Sequence, residues 1–197
     1  MSRVICAQCH YPQSACVCSA IRHLEIESRL IVMQHPSEVG HAKNSVRLMQ
    51  LVIPKLEVVV GETADDFASL QQSIQAQTSQ TYLLYPSDQS SSVNEAKPHR
   101  GSSFILLDGT WRKAFRMLQL NPWLMKLPAL HLDLHHASNY RIRKSSRPDS
   151  LSTLEAAALT LGAAEPEADI SALYQAFDAM IEQRLNSMPS HVRSRYS

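Results

Sequence analysis

One stretch constrains this chain more than any other: Phe104-Ile105-Leu106-Leu107-Asp108-Gly109-Thr110-Trp111-Arg112-Lys113. Four apolar residues without polar alternation read as a strand buried on both faces, the kind found in a parallel sheet covered by helices. The run stops at Asp108 and Gly109, and Thr110 is a residue type that caps the helix starting at Trp111. Strand, tight turn and helix N-terminus in succession mark where open α/β sheets bind ligands, beyond the carboxyl ends of their strands. Asp108 is therefore either a reactive carboxylate or a residue that turns and caps the chain; the turn alone allows both.

The segments on either side repeat the alternation. Residues 29–34 predict a strand, His35-Pro36-Ser37-Glu38 a turn, and a helix follows through Asn44 and Arg47 to about Val52, before Pro54. Val39, Ala42, Val46, Met49 and Ile53 would form its buried stripe, with His41, Lys43, Asn44 and Arg47 opposite. A strand at 56–60, a helix at 63–77 and a strand at 82–85 come next. Residues 87–102 are polar and read as a loop. After the central strand and helix, residues 129–134 predict a fifth strand, followed by a basic loop that includes Tyr140, Arg141, Arg143 and Lys144. Ser152 and Glu155 have capping-box spacing and open a helix to about Leu161. The last helix spans about 168–185, with Ile170, Leu173, Phe177, Met180 and Ile181 inward. The expected class is α/β, a mainly parallel sheet covered by helices on both faces.

All four cysteines lie at the start, as Cys6-x2-Cys9-x6-Cys16-x-Cys18. Two close pairs across a short loop can set four thiolates around one tetrahedral ion, and four thiolates leave no open coordination position. The expectation is a structural Zn2+ in residues 1–22, ahead of a catalytic domain at 23–197. Disulfides and a redox pair are the competing readings; a reducing compartment disfavours the first, and the second normally opens a helix after a strand.

At 197 residues, 44% apolar and 19% charged, the chain is a folded domain with room for a substantial core. It shows neither a membrane-length apolar run nor a signal peptide, so a cytoplasmic protein is expected. The net charge of +1 hides an asymmetry: nine basic residues between Arg100 and Arg147 face only Asp108 and Asp133. A polyanionic partner fits that segment. Glycine-rich nucleotide loops and the Gly-x-Ser-x-Gly nucleophile elbow are absent from the sequence.

Together the motifs resemble the DTW-domain family, named for an Asp-x-Thr-Trp signature that stands here as Asp108-Gly109-Thr110-Trp111. The four cysteines, His35-Pro36-Ser37-Glu38, Asn44 to Arg47, Tyr140 to Lys144 and Leu151 to Ala156 follow in the same order. Ser45 replaces the threonine of the Asn-Thr-x-Arg pattern and keeps its hydroxyl. The resemblance implies a SPOUT-like, knotted α/β fold acting on tRNA as a monomer or weak homodimer. It implies transfer of the 3-amino-3-carboxypropyl group of S-adenosylmethionine to N3 of a uridine, releasing methylthioadenosine. On that basis Asp108 would be the base or the anion facing the sulfonium. Trp111 would stack on the base or make a cation–π contact, and His35 and Glu38 would face the uridine. Leu107 to Trp111, Leu151, Ser152 and Thr153 would line the cofactor site. Arg141 or Arg143 would hold its carboxylate, and Glu155 would either meet its ammonium or only cap the helix. Asn44, Arg47, Arg112, Tyr140 and Lys144 would contact RNA. Two alternatives stay open: a SPOUT-type RNA methyltransferase and a non-catalytic zinc-containing RNA-binding module.

Overall fold

The two strands with the longest apolar runs lie side by side and parallel. They are β1 (Arg29–Gln34) and β5 (Ser103–Asp108), in register from Arg29 with Ser103 to Gln34 with Asp108. The computed structural model describes residues 4–41, 44–133 and 151–188. Among them, β2 (Glu57–Val60), β3 (Thr81–Leu84), β4 (Ser91–Ser92) and β6 (Ala129–His131) complete a sheet of order β2-β1-β5-β3-β6-β4, with every pair parallel.

A parallel sheet must be covered on both faces, and period-two alternation divides the strand side chains between two cores. Leu30, Val32, Phe104 and Leu106 face α1 (Val46–Val52), α5 (Thr153–Ala164) and α6 (Ser171–Asn186). Ile31, Met33 and Ile105 face α2 (Ala68–Ala76) and α4 (Trp111–Leu120). The α/β architecture with two covered faces is the one expected. Among the described residues no helix is long and apolar enough to cross a membrane.

Three local expectations are corrected. The polar stretch 87–102 contains β4 and a short helix, α3 (Val93–Ala96), with Val93 buried. A two-residue serine strand has no hydrophobic period to read; it is held by pairing with β6. The helix after β1 starts only at Val46, and Val39 is 51% exposed, outside the buried stripe; Ala42 and Lys43 lie outside the described residues. The helix expected from Thr63 starts at Ala68 because the Asp66 carboxylate accepts from the Glu62 and Thr63 amides and the Thr63 hydroxyl. Those local bonds compete with the helical ladder.

Glu165, at the end of α5, ties that helix to the entry of β1. It is 4% exposed, and its carboxylate accepts from the Ser28 amide at 2.7 Å and the Glu27 amide at 3.1 Å. Burial pushes its carboxyl up, but the Ser28 and Glu27 donors and Arg100 outweigh it and leave it below the ordinary value. A group depressed in the folded state binds fewer protons there than in the unfolded chain, so its stabilisation is present above about pH 4.5 and is lost as pH falls through the folded value. Glu165→Gln should destabilise the fold by about 1.5–3 kcal/mol at pH 7. Urea titrations should show wild type and variant converging at acidic pH.

Candidate active site and metal centre

The chain leaves β1 towards β2 through α1 on one face, and leaves β5 towards β6 through α4 on the other. Connections diverging from adjacent parallel strands open a crevice at their carboxyl ends, the usual ligand position in open α/β sheets. The His35 amide bonds the Asp108 carbonyl there at 2.9 Å.

Gln34 and Asp108 are register partners, and both point to the α5 face, as Val32 and Leu106 do two residues earlier. The Asp108 side chain is enclosed, with the residue 9% exposed. Its Oδ2 accepts from Gln34 Nε2 at 2.8 Å and its Oδ1 from the Thr153 hydroxyl at 2.6 Å. Thr153 is aimed by the capping box at the start of α5: the Glu155 carboxylate accepts from the Ser152 amide at 2.7 Å, and Ser152 Oγ from the Glu155 amide at 3.2 Å. Glu155 therefore has the capping role, and at 4% exposure its carboxylate is enclosed. Leu151 is half-buried beside this box, and Leu107 is half-buried against the opposite core.

Asn44 extends the network. Its Oδ1 accepts from the Val46 amide at 2.8 Å, capping α1, and from Gln34 Nε2 at 3.4 Å; its Nδ2 donates to the Glu38 carbonyl at 3.0 Å.

His35 turns the other way. The Ser37 amide donates to its Nδ1 at 3.2 Å, so in the neutral ring the proton sits on Nε2, 3.3 Å from Glu62 Oε1. The same oxygen accepts from Arg116 Nε at 2.8 Å. Glu38 pairs with Lys113 at 2.7 Å, and Thr110 caps α4 by accepting the Lys113 amide at 3.4 Å. Gly109 keeps this turn close: a Cβ there would lie 3.1 Å from Lys113 Cβ and 3.7 Å from His35 Cβ. Trp111 is 40% exposed and packs edge-on against Tyr85, and Arg112 beside it is exposed. His35 and Asp108 are thus joined through backbone, while their side chains face different partners. Tyr140, Arg141, Arg143 and Lys144 lie outside the described residues.

Two members of this site were not anticipated. Gln34 closes an apolar run, a position where a polar residue is a hint, but only strand register makes it a neighbour of Asp108. Glu62 is one of several acids after β2, and its meeting with His35 depends on the β1–β2 pairing.

At the N-terminus, the four sulfur ligand atoms all lie within 4.8 Å of one another, with Cys6–Cys18 at 3.6 Å and Cys9–Cys16 and Cys6–Cys16 at 3.7 Å. Tetrahedral coordination at the usual metal–sulfur bond length requires sulfurs about 3.8 Å apart. The four thiols are free of disulfides and could hold a metal. Amides of Cys9 and Gln8 lower the Cys6 thiol to about 6, while contact with the Cys16 thiol raises Cys18 to about 12. Arg47 braces this segment, donating to the Cys9 carbonyl at 3.1 Å with its guanidinium 4.5 Å over the Tyr11 ring. The Tyr11 hydroxyl reaches Met180 Sδ at 3.8 Å on α6.

A family model described as the DTW domain matches residues 3–185. tRNA-uridine aminocarboxypropyltransferase 2 of Mus musculus is 31% identical over 168 residues, 81% of this chain and 56% of the mouse protein. The proteins of the same name from Macaca fascicularis and Drosophila melanogaster are 29% and 30% identical, covering 81% and 84% of this chain and 56% and 68% of their own lengths. The chain thus spans little more than half the length of the mouse and macaque relatives. The Asp108-Gly109-Thr110-Trp111 signature supplies the enclosed acid, the close turn, the helix cap and the first residue of α4. With a match running from residue 3 to residue 185, the chain belongs to the DTW-domain family.

Proposed function

We propose that this chain is a tRNA-modifying transferase that moves the 3-amino-3-carboxypropyl group of S-adenosylmethionine to N3 of a uridine. The observation that carries it is Asp108: a carboxylate at the β1/β5 crevice, oriented by two neutral donors and, among the described residues, without a cationic partner. Such a carboxylate favours a cation or a transferable proton in the crevice. Both arise in this reaction. N3 forms a bond to the terminal carbon of the carboxypropyl group, the carbon–sulfur bond breaks, and its electron pair stays on sulfur. Methylthioadenosine leaves neutral, so no acid is needed for the leaving group, while the N3 proton passes to a base. Asp108 serves as that base or balances the sulfonium before transfer.

Choosing this carbon over the methyl is a matter of alignment, since only a carbon in line with N3 reacts. The Thr153 hydroxyl is committed to Asp108, so main-chain amides at the start of α5 offer the donors to the amino-acid end of the donor molecule, and Arg141 or Arg143 would pair with its carboxylate. Glu155 is committed to its cap and acts by positioning Thr153. Trp111 offers an exposed ring for the uridine or the sulfonium. His35, Glu38, Arg112, Tyr140 and Lys144 would face the RNA. Divergent connections around a parallel sheet support kinship with the SPOUT-like folds. A reducing cytoplasm would keep the four thiols available, and Zn2+ is the ion that best fits an all-thiolate tetrahedron.

Incubation with bulk tRNA and S-adenosylmethionine, read by mass spectrometry, tests the function. Methylthioadenosine with a mass gain on uridine is expected; S-adenosylhomocysteine would mean methyl transfer, and neither product with tRNA bound would mean a binding module. Asp108→Asn should lower turnover about 10²–10⁴-fold while tRNA affinity stays within about 2-fold, well inside the tenfold that 1.4 kcal/mol represents. Metal analysis of the reduced protein should find one Zn2+ per chain. Cys9→Ser should weaken metal retention by more than the roughly 10–100-fold that loss of an outer-shell partner costs, and the melting temperature should fall with it.

A further inference from the structure

Between the cysteine segment, the turn into α1 and the last turns of α6 lies a cavity of about 250 Å³. Its wall includes Tyr11, Asn44, Arg47, Gln183 and Arg184, and among the described residues it has no carboxylate. Neither arginine has an acidic partner among the described residues. Arg47 spends one nitrogen on the Cys9 carbonyl. Among the described residues Arg184 Nε is buried without a hydrogen-bond partner, and the charges of Arg47 and Arg184 both act on the Tyr11 hydroxyl. Two guanidinium groups at one cavity wall with no described carboxylate to balance them leave uncompensated positive charge, which an oxyanion entering the cavity would offset. Guanidinium groups match phosphate oxygens in geometry as well as charge.

We propose that this cavity binds a backbone phosphate of the RNA substrate, held by Arg184 and Arg47. The inference rests on the RNA-modifying function proposed above and extends it to a second contact point. Asn44 joins the two: it lines the cavity and accepts from Gln34 Nε2, which donates to Asp108. A phosphate seated here would fix the RNA at a set offset from the reacting carboxylate, using remote binding energy for alignment. The cysteine segment then has a definite part in RNA binding, because it supplies the Tyr11 wall and the carbonyl that holds Arg47.

The test is tRNA affinity measured against salt concentration for wild type, Arg184→Gln and Arg184→Lys. Arg184→Gln should raise Kd about 3–10-fold near 0.1 M salt and make the log–log salt slope shallower by about one, with KM for tRNA rising in parallel. Arg184→Lys keeps the charge and should retain the slope. An unchanged slope in Arg184→Gln overturns the site, also if that variant melts lower, since the arginine would then only brace α6. Inorganic phosphate binding that needs Arg184 while the tRNA slope stays the same overturns the RNA assignment and leaves a small-anion pocket. If wild type binds tRNA with an Arg184-dependent slope but forms no methylthioadenosine, the transferase function fails and this site stands.

Discussion

The structure depends on one enclosed carboxylate being satisfied. Removing a charged oxygen pair from water is expensive unless donors replace the lost hydration. Asp108 obtains them from two places far apart in the chain: Gln34 at the end of β1 and Thr153 at the start of α5. Each donor requires its own element to be placed correctly. The Gln34 bond exists only in the observed β1–β5 register, and a one-residue slip would send either side chain to the opposite face. The Thr153 bond exists only because the Ser152–Glu155 box sets the first turn of α5. The site is thus built into the sheet pairing and the helix start and is not added to a finished scaffold.

Around this centre the polar residues fall into two groups separated by the sheet. On one side Gln34 and Thr153 donate to a single anion, Asp108, and Asn44 accepts from Gln34. On the other, His35, Glu62, Arg116, Glu38 and Lys113 form a charge-balanced group around the turn at Gly109. The first suits attraction of a positive ligand; the second suits rigid orientation of a loop with little net field. Two bonds through main-chain carbonyls join the groups, from the His35 amide to Asp108 and from Asn44 Nδ2 to Glu38. Roles for the His35 and Asp108 side chains are therefore separable, although they stand at the ends of neighbouring strands.

Much of this was readable in the sequence because it rests on short-range rules. The apolar run ending in Asp108, the Thr110 cap, the Ser152–Glu155 box and the cysteine spacing are all local, and each is present as expected. What escaped was set by partners distant in sequence. Glu155 had two open roles until the buried capping bonds were seen. The place of Arg47 over Tyr11 comes from docking of a segment 36 residues earlier in the chain, which no local pattern around Arg47 announces. β4 is held by pairing alone, without a hydrophobic pattern. Gln34 and Glu62 carried no motif and entered only through strand register.

The packing of Tyr11 against Met180 spans 169 positions of the chain. Cys9, Tyr11 and Val17 share one apolar cluster with Leu173, Phe177 and Met180 of α6. During synthesis the cysteine segment is made well before α6, one of the elements it packs against. It must keep its thiols reduced and its apolar residues out of other contacts until residue 180 has been added. Closing so long a loop is slow, and chains with exposed apolar surface aggregate while they wait. An ion taken up early would hold the segment compact through that interval, giving the cysteine cluster a task in biogenesis that precedes any task in the finished protein.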